Sequence, residues 1–108
     1  MPYINLKTNI EIQDKDKLMT VLGELISILP GKTVARTMVS VEDKVALCFA
    51  GSAEPCAIIE TIVNPESIMD NNKEYCMTVI NKVKEELNLP EKRIYATVAK
   101  VDCWCSIK

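Results

Sequence analysis

The chain has 108 residues, 48% hydrophobic and 26% charged, with a formal net charge of −2. That supports the core of one domain, and no basic block is present to hold nucleic acid or a membrane surface. No apolar run approaches the ~20 residues of a bilayer span and no charged-then-apolar leader opens the chain, so the cytoplasm is the expected compartment, with leaderless secretion left open.

Pro2 follows Met1. A small second residue favours removal of the initiator, which would leave a prolyl amino terminus: a secondary amine held at a strand end. Tyr3 to Asn9 alternates loosely and reads as a strand. Asp14 sits at an N-cap position. Leu18, Val21, Leu22, Leu25, Ile26 and Leu29 form one apolar stripe, predicting a helix over Lys15 to Leu29 that Pro30-Gly31 stops. Val34 to Val41 reads as a second strand, parallel to the first because a helical crossover joins them. Glu42-Asp43-Lys44 reads as a turn, Val45 to Phe49 as a short strand, and Gly51-Ser52 as its end. Cys56 to Val63 is a third main strand, closed by Asn64-Pro65. A second helix spans Asn72 to Leu87, with Asn71 and Glu74 spaced as a capping box. Ile94 to Val101 is the last main strand, before a short tail.

The order is β-α-β, link, β-α-β. Residues 2–43 and 55–102 look like two copies of one unit, with Val34-Ala35-Arg36-Thr37-Met38-Val39 echoing Ile94-Tyr95-Ala96-Thr97-Val98-Ala99. The expected fold is α/β: a single domain with a pseudo-symmetric four-stranded mixed sheet and two helices on one face. The other face, with its Val, Ile and Ala, would need cover, which implies oligomerisation.

There is no histidine, so the commonest general base and metal ligand is missing. Any base must be a carboxylate, Lys, Tyr, Cys or the amino terminus. Cys48, Cys56, Cys76, Cys103 and Cys105 contain no C-x-x-C and read as small buried hydrophobes in a reducing compartment. Cys103-x-Cys105 puts two thiols on one side of a strand, but a zinc site needs four ligands and no second close pair exists. Neither metal nor cofactor is expected.

Phe49-Ala50-Gly51-Ser52-Ala53-Glu54-Pro55-Cys56-Ala57 resembles the F-G-G-S-x-E-P-C-A segment of the macrophage migration inhibitory factor and D-dopachrome tautomerase family, in the tautomerase superfamily. Thr8-Asn9, Gly31-Lys32 and Arg93-Ile94-Tyr95 match its T-N, G-K and R-V/I-Y. The resemblance covers nearly the whole chain. It implies a homotrimer whose bare sheet faces turn inward as a barrel-like core, with active sites between subunits. It implies keto–enol tautomerisation of a small α-keto acid such as phenylpyruvate, with Pro2 as the catalytic base.

On that resemblance Lys32 and Arg36 hold the substrate carboxylate, as a point charge and a fork. Together with an apolar pocket they would also lower the pKa of the Pro2 amine. Read alone, Lys32 is a solvated cation at a helix end, and Arg36 is equally a surface strand residue. Tyr95 matches a family tyrosine that enters the site from a neighbouring subunit; Tyr3 would wall the pocket; Trp104 stands near the carboxyl end, as the family's pocket tryptophan does. Asn64 replaces the isoleucine that supplies a backbone contact, and Thr97 replaces an asparagine. The family's pocket-closing tail is absent, and Ile59 replaces the second cysteine of its redox motif. Two other readings stay open: a signalling protein that binds a host receptor, and a decarboxylase or dehalogenase of small unsaturated acids.

Overall fold

The computed structural model describes residues 2–107. Its elements are β1 (Tyr3–Thr8), α1 (Lys15–Leu25), β2 (Met38–Glu42), β3 (Ala57–Val63), α2 (Asn72–Leu87) and β4 (Ile94–Lys100), with single 3-10 turns at Ile26–Ile28, Val34–Arg36 and Glu91–Arg93. The four strands form one sheet in the order β2-β1-β3-β4. The outer pairs β1–β2 and β3–β4 are parallel and the central pair β1–β3 is antiparallel. This is the expected four-stranded mixed sheet with two helices.

Both helices lie on one face. Leu18 and Leu22 of α1 and Tyr75, Val79 and Val83 of α2 share one buried cluster with Ile4, Leu6, Ile59, Val63 and Ile94 of the sheet. Each such aliphatic side chain contributes ~1.5–3 kcal/mol when removed from water. Asp14 caps α1 by accepting from the Lys17 N–H at 3.0 Å. Tyr75 is the polar exception in the core: its hydroxyl meets Thr61 Oγ1 at 2.8 Å, and burial pushes its pKa up to about 12.

Five expectations change. The first helix tightens into a 3-10 turn at Ile26–Ile28 instead of running to Leu29. Val34 to Arg36 is a 3-10 turn, held by the Thr37 N–H on the Val34 carbonyl and the Thr37 hydroxyl on the Thr33 carbonyl. Arg36 therefore sits on a turn, and the echo with strand residues Ile94 to Ala96 is not a structural equivalence. Val45 to Phe49 forms no strand: the Val45 N–H reaches the Thr8 carbonyl at 3.1 Å, but no ladder follows, and the only bridge on the segment among the described residues joins Phe49 to Ser52. Asn71 does not build a capping box; its amide donates to the Ile28 carbonyl at 3.1 Å, tying α2 to the end of the first helix.

The fifth change concerns the uncovered sheet face. Alternation puts Tyr3, Asn5 and Lys7 of β1 there, beside Ser40 and Glu42 of β2 and Glu60 of β3. Ile58, Ile62, Met38 and Tyr95 add apolar surface around that polar centre. The face is mixed, not the Val/Ile/Ala surface anticipated.

Candidate active site

β1 begins at the residue after Pro2. A proline there removes no ladder hydrogen bond, and the Pro2 carbonyl accepts from the Met38 N–H at 3.0 Å, which starts the β1–β2 ladder. Pro2 is buried, at the edge of a cavity of about 540 Å³ lined by Tyr3, Ala35, Arg36, Thr37, Met38 and Trp104. The Tyr3 hydroxyl lies 2.8 Å from Ser40 Oγ, which donates to Asn5 Oδ1 at 2.6 Å. That chain of bonds fixes the Tyr3 ring as a wall. Arg36 is exposed at the mouth and has no ion pair among the described residues.

Lys32 is presented by a tight turn. Pro30 sets its first corner and Gly31, with φ of 73°, its second, and the Lys32 N–H returns to the Leu29 carbonyl at 3.2 Å. The Lys32 ammonium donates to Asn64 Oδ1 at 2.8 Å, and the Ser67 hydroxyl donates to the same oxygen. Asn64 Nδ2 donates to the Glu66 carboxylate at 3.2 Å. Asn64 directly follows β3, and the antiparallel register places Val63 opposite Pro2. The Lys32–Asn64 pair therefore stands at the Pro2 end of the sheet. Its partner being a neutral amide, Lys32 keeps its charge available for an anion.

Tyr95 and Thr97 stand elsewhere. Tyr3 pairs with Ile62, and Ile62 with Ala99, so Tyr95 lies two strands across and four residues along, roughly 13 Å in the strand direction at ~3.3 Å per residue. It packs edge-on against Phe49, ring centroids 5.1 Å apart, beside a second, smaller cavity of about 170 Å³. Thr97 is exposed on the uncovered face, beside Glu60. One chain thus gathers Pro2, Tyr3, Arg36 and Trp104, brings Lys32 and Asn64 to the same sheet end, and leaves Tyr95 and Thr97 apart.

Apart from Gly31-Lys32, the segments that resemble the tautomerase family meet at the other end of the sheet. The Arg93 guanidinium donates to the carbonyls of Phe49, Ser52, Glu54 and Pro55 at 3.0–3.2 Å and stacks 5.3 Å from the Phe49 ring. Asn9 Nδ2 shares its hydrogens among the carbonyls of Leu47, Ala53 and Glu54, while its Oδ1 accepts from the Cys56 N–H. Thr8 Oγ1 donates to the Cys56 carbonyl at 2.7 Å. The T-N, F-A-G-S-x-E-P-C-A and R-I-Y segments are one loop clamp. Ala50 and Gly51, both at positive φ, make its tip.

Residues 1–107 match the family model for macrophage migration inhibitory factor. The chain belongs to that family. It is 27% identical over 106 residues to D-dopachrome decarboxylase-B of Xenopus laevis, covering 96% of this chain and 90% of the relative. The solved macrophage migration inhibitory factor homologue of Prochlorococcus marinus is 26% identical, covers 92% of this chain and 88% of its own, and superposes with a TM-score of 0.79. The factor of Oncomelania hupensis, at 20% identity over 99% of this chain and 79% of its own, shares the fold with a TM-score of 0.84.

Sequence reasoning missed Ser40 and Asn5, which hold Tyr3 in place. Only the β1–β2 register, Asn5 beside Ser40, reveals the pairing.

Proposed function

We propose that this protein is a keto–enol tautomerase of α-keto acids of the phenylpyruvate type, with Pro2 as base and acid. The observation that carries this reading is the cavity where a strand-end proline, a guanidinium with no ion pair among the described residues and an aromatic wall converge. The Pro2 amine takes a proton from the carbon beside the keto group and returns one to the oxygen, so the substrate is isomerised with no net change in atoms. Arg36 and Lys32 hold the carboxylate. The apolar wall and these cations favour the uncharged amine, which is the form that accepts a proton. The working unit is a homotrimer in which Tyr95 of a neighbouring copy completes the site; the separation of Tyr95 from Pro2 within one chain supports this.

The amine exists only once Met1 is removed, and Met1 lies outside the described residues. The test is phenylpyruvate tautomerisation by protein shown by intact mass to begin at Pro2, beside Pro2→Gly. The expected loss is about 10²- to 10⁴-fold, with the assembly unchanged in sedimentation. Equal turnover by Pro2→Gly, or by protein that keeps Met1, ends the reading.

The relative from Xenopus laevis and a second, from Gallus gallus, both carry the name D-dopachrome decarboxylase, which favours decarboxylation as the second reading. Both reactions pass through an enol or enolate; they differ in whether a C–H or a C–CO₂⁻ bond breaks. Cations that grip the carboxylate stabilise it in the ground state and oppose its loss, which puts tautomerisation first here. Release of carbon dioxide from a panel of small unsaturated acids, faster than any enolisation, would reverse that order.

A further inference from the structure

The tail after β4 carries Cys103-Trp104-Cys105. Cys103 and Cys105 are both exposed, not buried as expected, and their sulfurs lie 3.5 Å apart. That is contact distance between two free thiols, so both side chains lie on one side of the tail. The residue between them leans to the other. Trp104 is partly buried and lines the cavity at Pro2, with Tyr3 and Arg36.

We propose that Cys103 and Cys105 are a dithiol–disulfide site, oxidised by low-molecular-weight disulfides of the glutathione class, whose closure resets Trp104 in the wall of the Pro2 cavity. One tail thiolate attacks a sulfur of the reagent and releases one thiol. The second attacks the mixed disulfide and releases the other. Two S–H bonds are lost, one S–S bond forms, and the two electrons reduce the reagent to two thiols.

Three features favour this chemistry. Exposed disulfides are the labile, regulatory kind, whereas buried ones resist reduction. The resolving thiol already touches the attacking one, so the mixed disulfide is short-lived. A metal is the weaker occupant, because no cluster of three or more Cys, His, Asp or Glu side chains suited to an ion occurs among the described residues.

The ring that closes spans only Trp104, so its backbone must adjust when the sulfurs draw together to ~2.05 Å. The indole moves with it, and it shares a cavity of about 540 Å³ with Arg36. The oxidised and reduced tails thus present different walls to a bound acid. This last consequence rests on the cavity being the substrate site; the thiol chemistry and the movement of Trp104 do not.

The experiment uses the full chain, titrated with glutathione disulfide and reversed with dithiothreitol. Trp104 is the only tryptophan, so acrylamide quenching of its fluorescence reads the wall directly. The expected result is a mass lower by two hydrogens, a Cys103–Cys105 crosslinked peptide, and quenching that changes at least twofold and returns on reduction. Cys103→Ser should hold a stable mixed disulfide at Cys105, with its quenching close to that of the reduced protein. Stable mixed disulfides on the unmutated tail, or chain-to-chain disulfides on a non-reducing gel, would overturn the site. Ring closure with unchanged quenching would overturn its coupling to the cavity. Neither readout needs turnover, so an inactive protein sinks the tautomerase reading and leaves this one to be decided by mass and quenching.

Discussion

In the first half of the sheet the chain reaches β2 through a proline–glycine turn and a 3-10 turn that leave Lys32 bound to a neutral amide and Arg36 without an ion pair among the described residues. In the second half it reaches β4 through the 3-10 turn Glu91–Arg93, and there the guanidinium of Arg93 is occupied by four carbonyls and an aromatic ring. The strand pairing is the same in both halves: a parallel outer pair beside a central strand. What differs is the neighbouring loop. The link 49–55 folds over the start of β3 and takes up the Arg93 donors with its own carbonyls. No such loop covers the start of β1, where Pro2 sits at an open cavity. A repeated topology can thus give one binding end and one anchoring end, depending on which cation has backbone to hold.

The proline substitution already described probes the binding end and carries the largest expected effect. The sharpest probe of the anchoring end is Arg93→Ala. Hydrogen bonds to a charged donor are worth about 1.5–3 kcal/mol where they are shielded; several of these are exposed, so the expected loss is about 2–3 kcal/mol in total. It should appear as a lower urea midpoint. Arg93→Lys keeps the charge without the fork and should recover less than half. An unchanged midpoint in Arg93→Ala would mean that the loop holds itself, and that the two halves do not differ in the way argued.

Much of the frame was legible because it rests on periodicity. The Leu18, Leu22, Ile26 stripe marks the buried face of the first helix, and the second helix runs from Asn72 to Leu87 as its pattern predicts. Residues 34–37 misled because Val34 and Thr37 have strand propensity, whereas the ladder bond from Met38 to Pro2 and the Thr33–Thr37 turn bonds decide where the strand begins. Val45 to Phe49 has a strand's composition, but its one bond to β1, from the Val45 N–H to the Thr8 carbonyl, does not extend into a ladder among the described residues. The character of the uncovered face was hidden because Asn5, Lys7 and Glu60 belong to strands whose apolar neighbours point the other way. At the site, Pro2, Arg36 and Trp104 were named from family resemblance, and their convergence on one cavity is a fact of folding that no spacing displayed.

The halves also differ beneath the sheet. The α1 side is aliphatic, whereas α2 buries Tyr75 against Thr61. The phenol stays neutral in the fold up to about 12, whereas in the unfolded chain it ionises near 10. Below pH 10 both states hold the proton and the stability is intact. Between pH 10 and 12 the unfolded chain releases a proton that the fold retains, so stability falls as pH rises, by up to about 2–3 kcal/mol at ~1.36 kcal/mol per unit. Tyr75→Phe should flatten that slope in urea titrations across the range. At neutral pH it should lose about 1–2 kcal/mol, because the buried Thr61 hydroxyl loses its partner. A slope that persists in the phenylalanine variant would assign the alkaline loss to other groups.

The smallest expected effect bears most directly on the contrast between the two cations. Arg36 has no ion pair among the described residues and sits exposed on a turn whose backbone bonds do not involve its side chain, so Arg36→Ala should leave the urea midpoint within about 0.5 kcal/mol, the usual range for a surface change. If it meets the substrate carboxylate, KM for phenylpyruvate should rise roughly tenfold, equivalent to about 1.4 kcal/mol, with kcat changing less. Arg36→Lys should recover part of that, since a point charge replaces a fork. Added salt should weaken binding by the parent protein more than by Arg36→Ala, because the exposed guanidinium acts through a screened field. A variant that loses stability and keeps its KM would place Arg36 with Arg93 among the anchoring residues, and the open cation at the proline end would then be Lys32 alone.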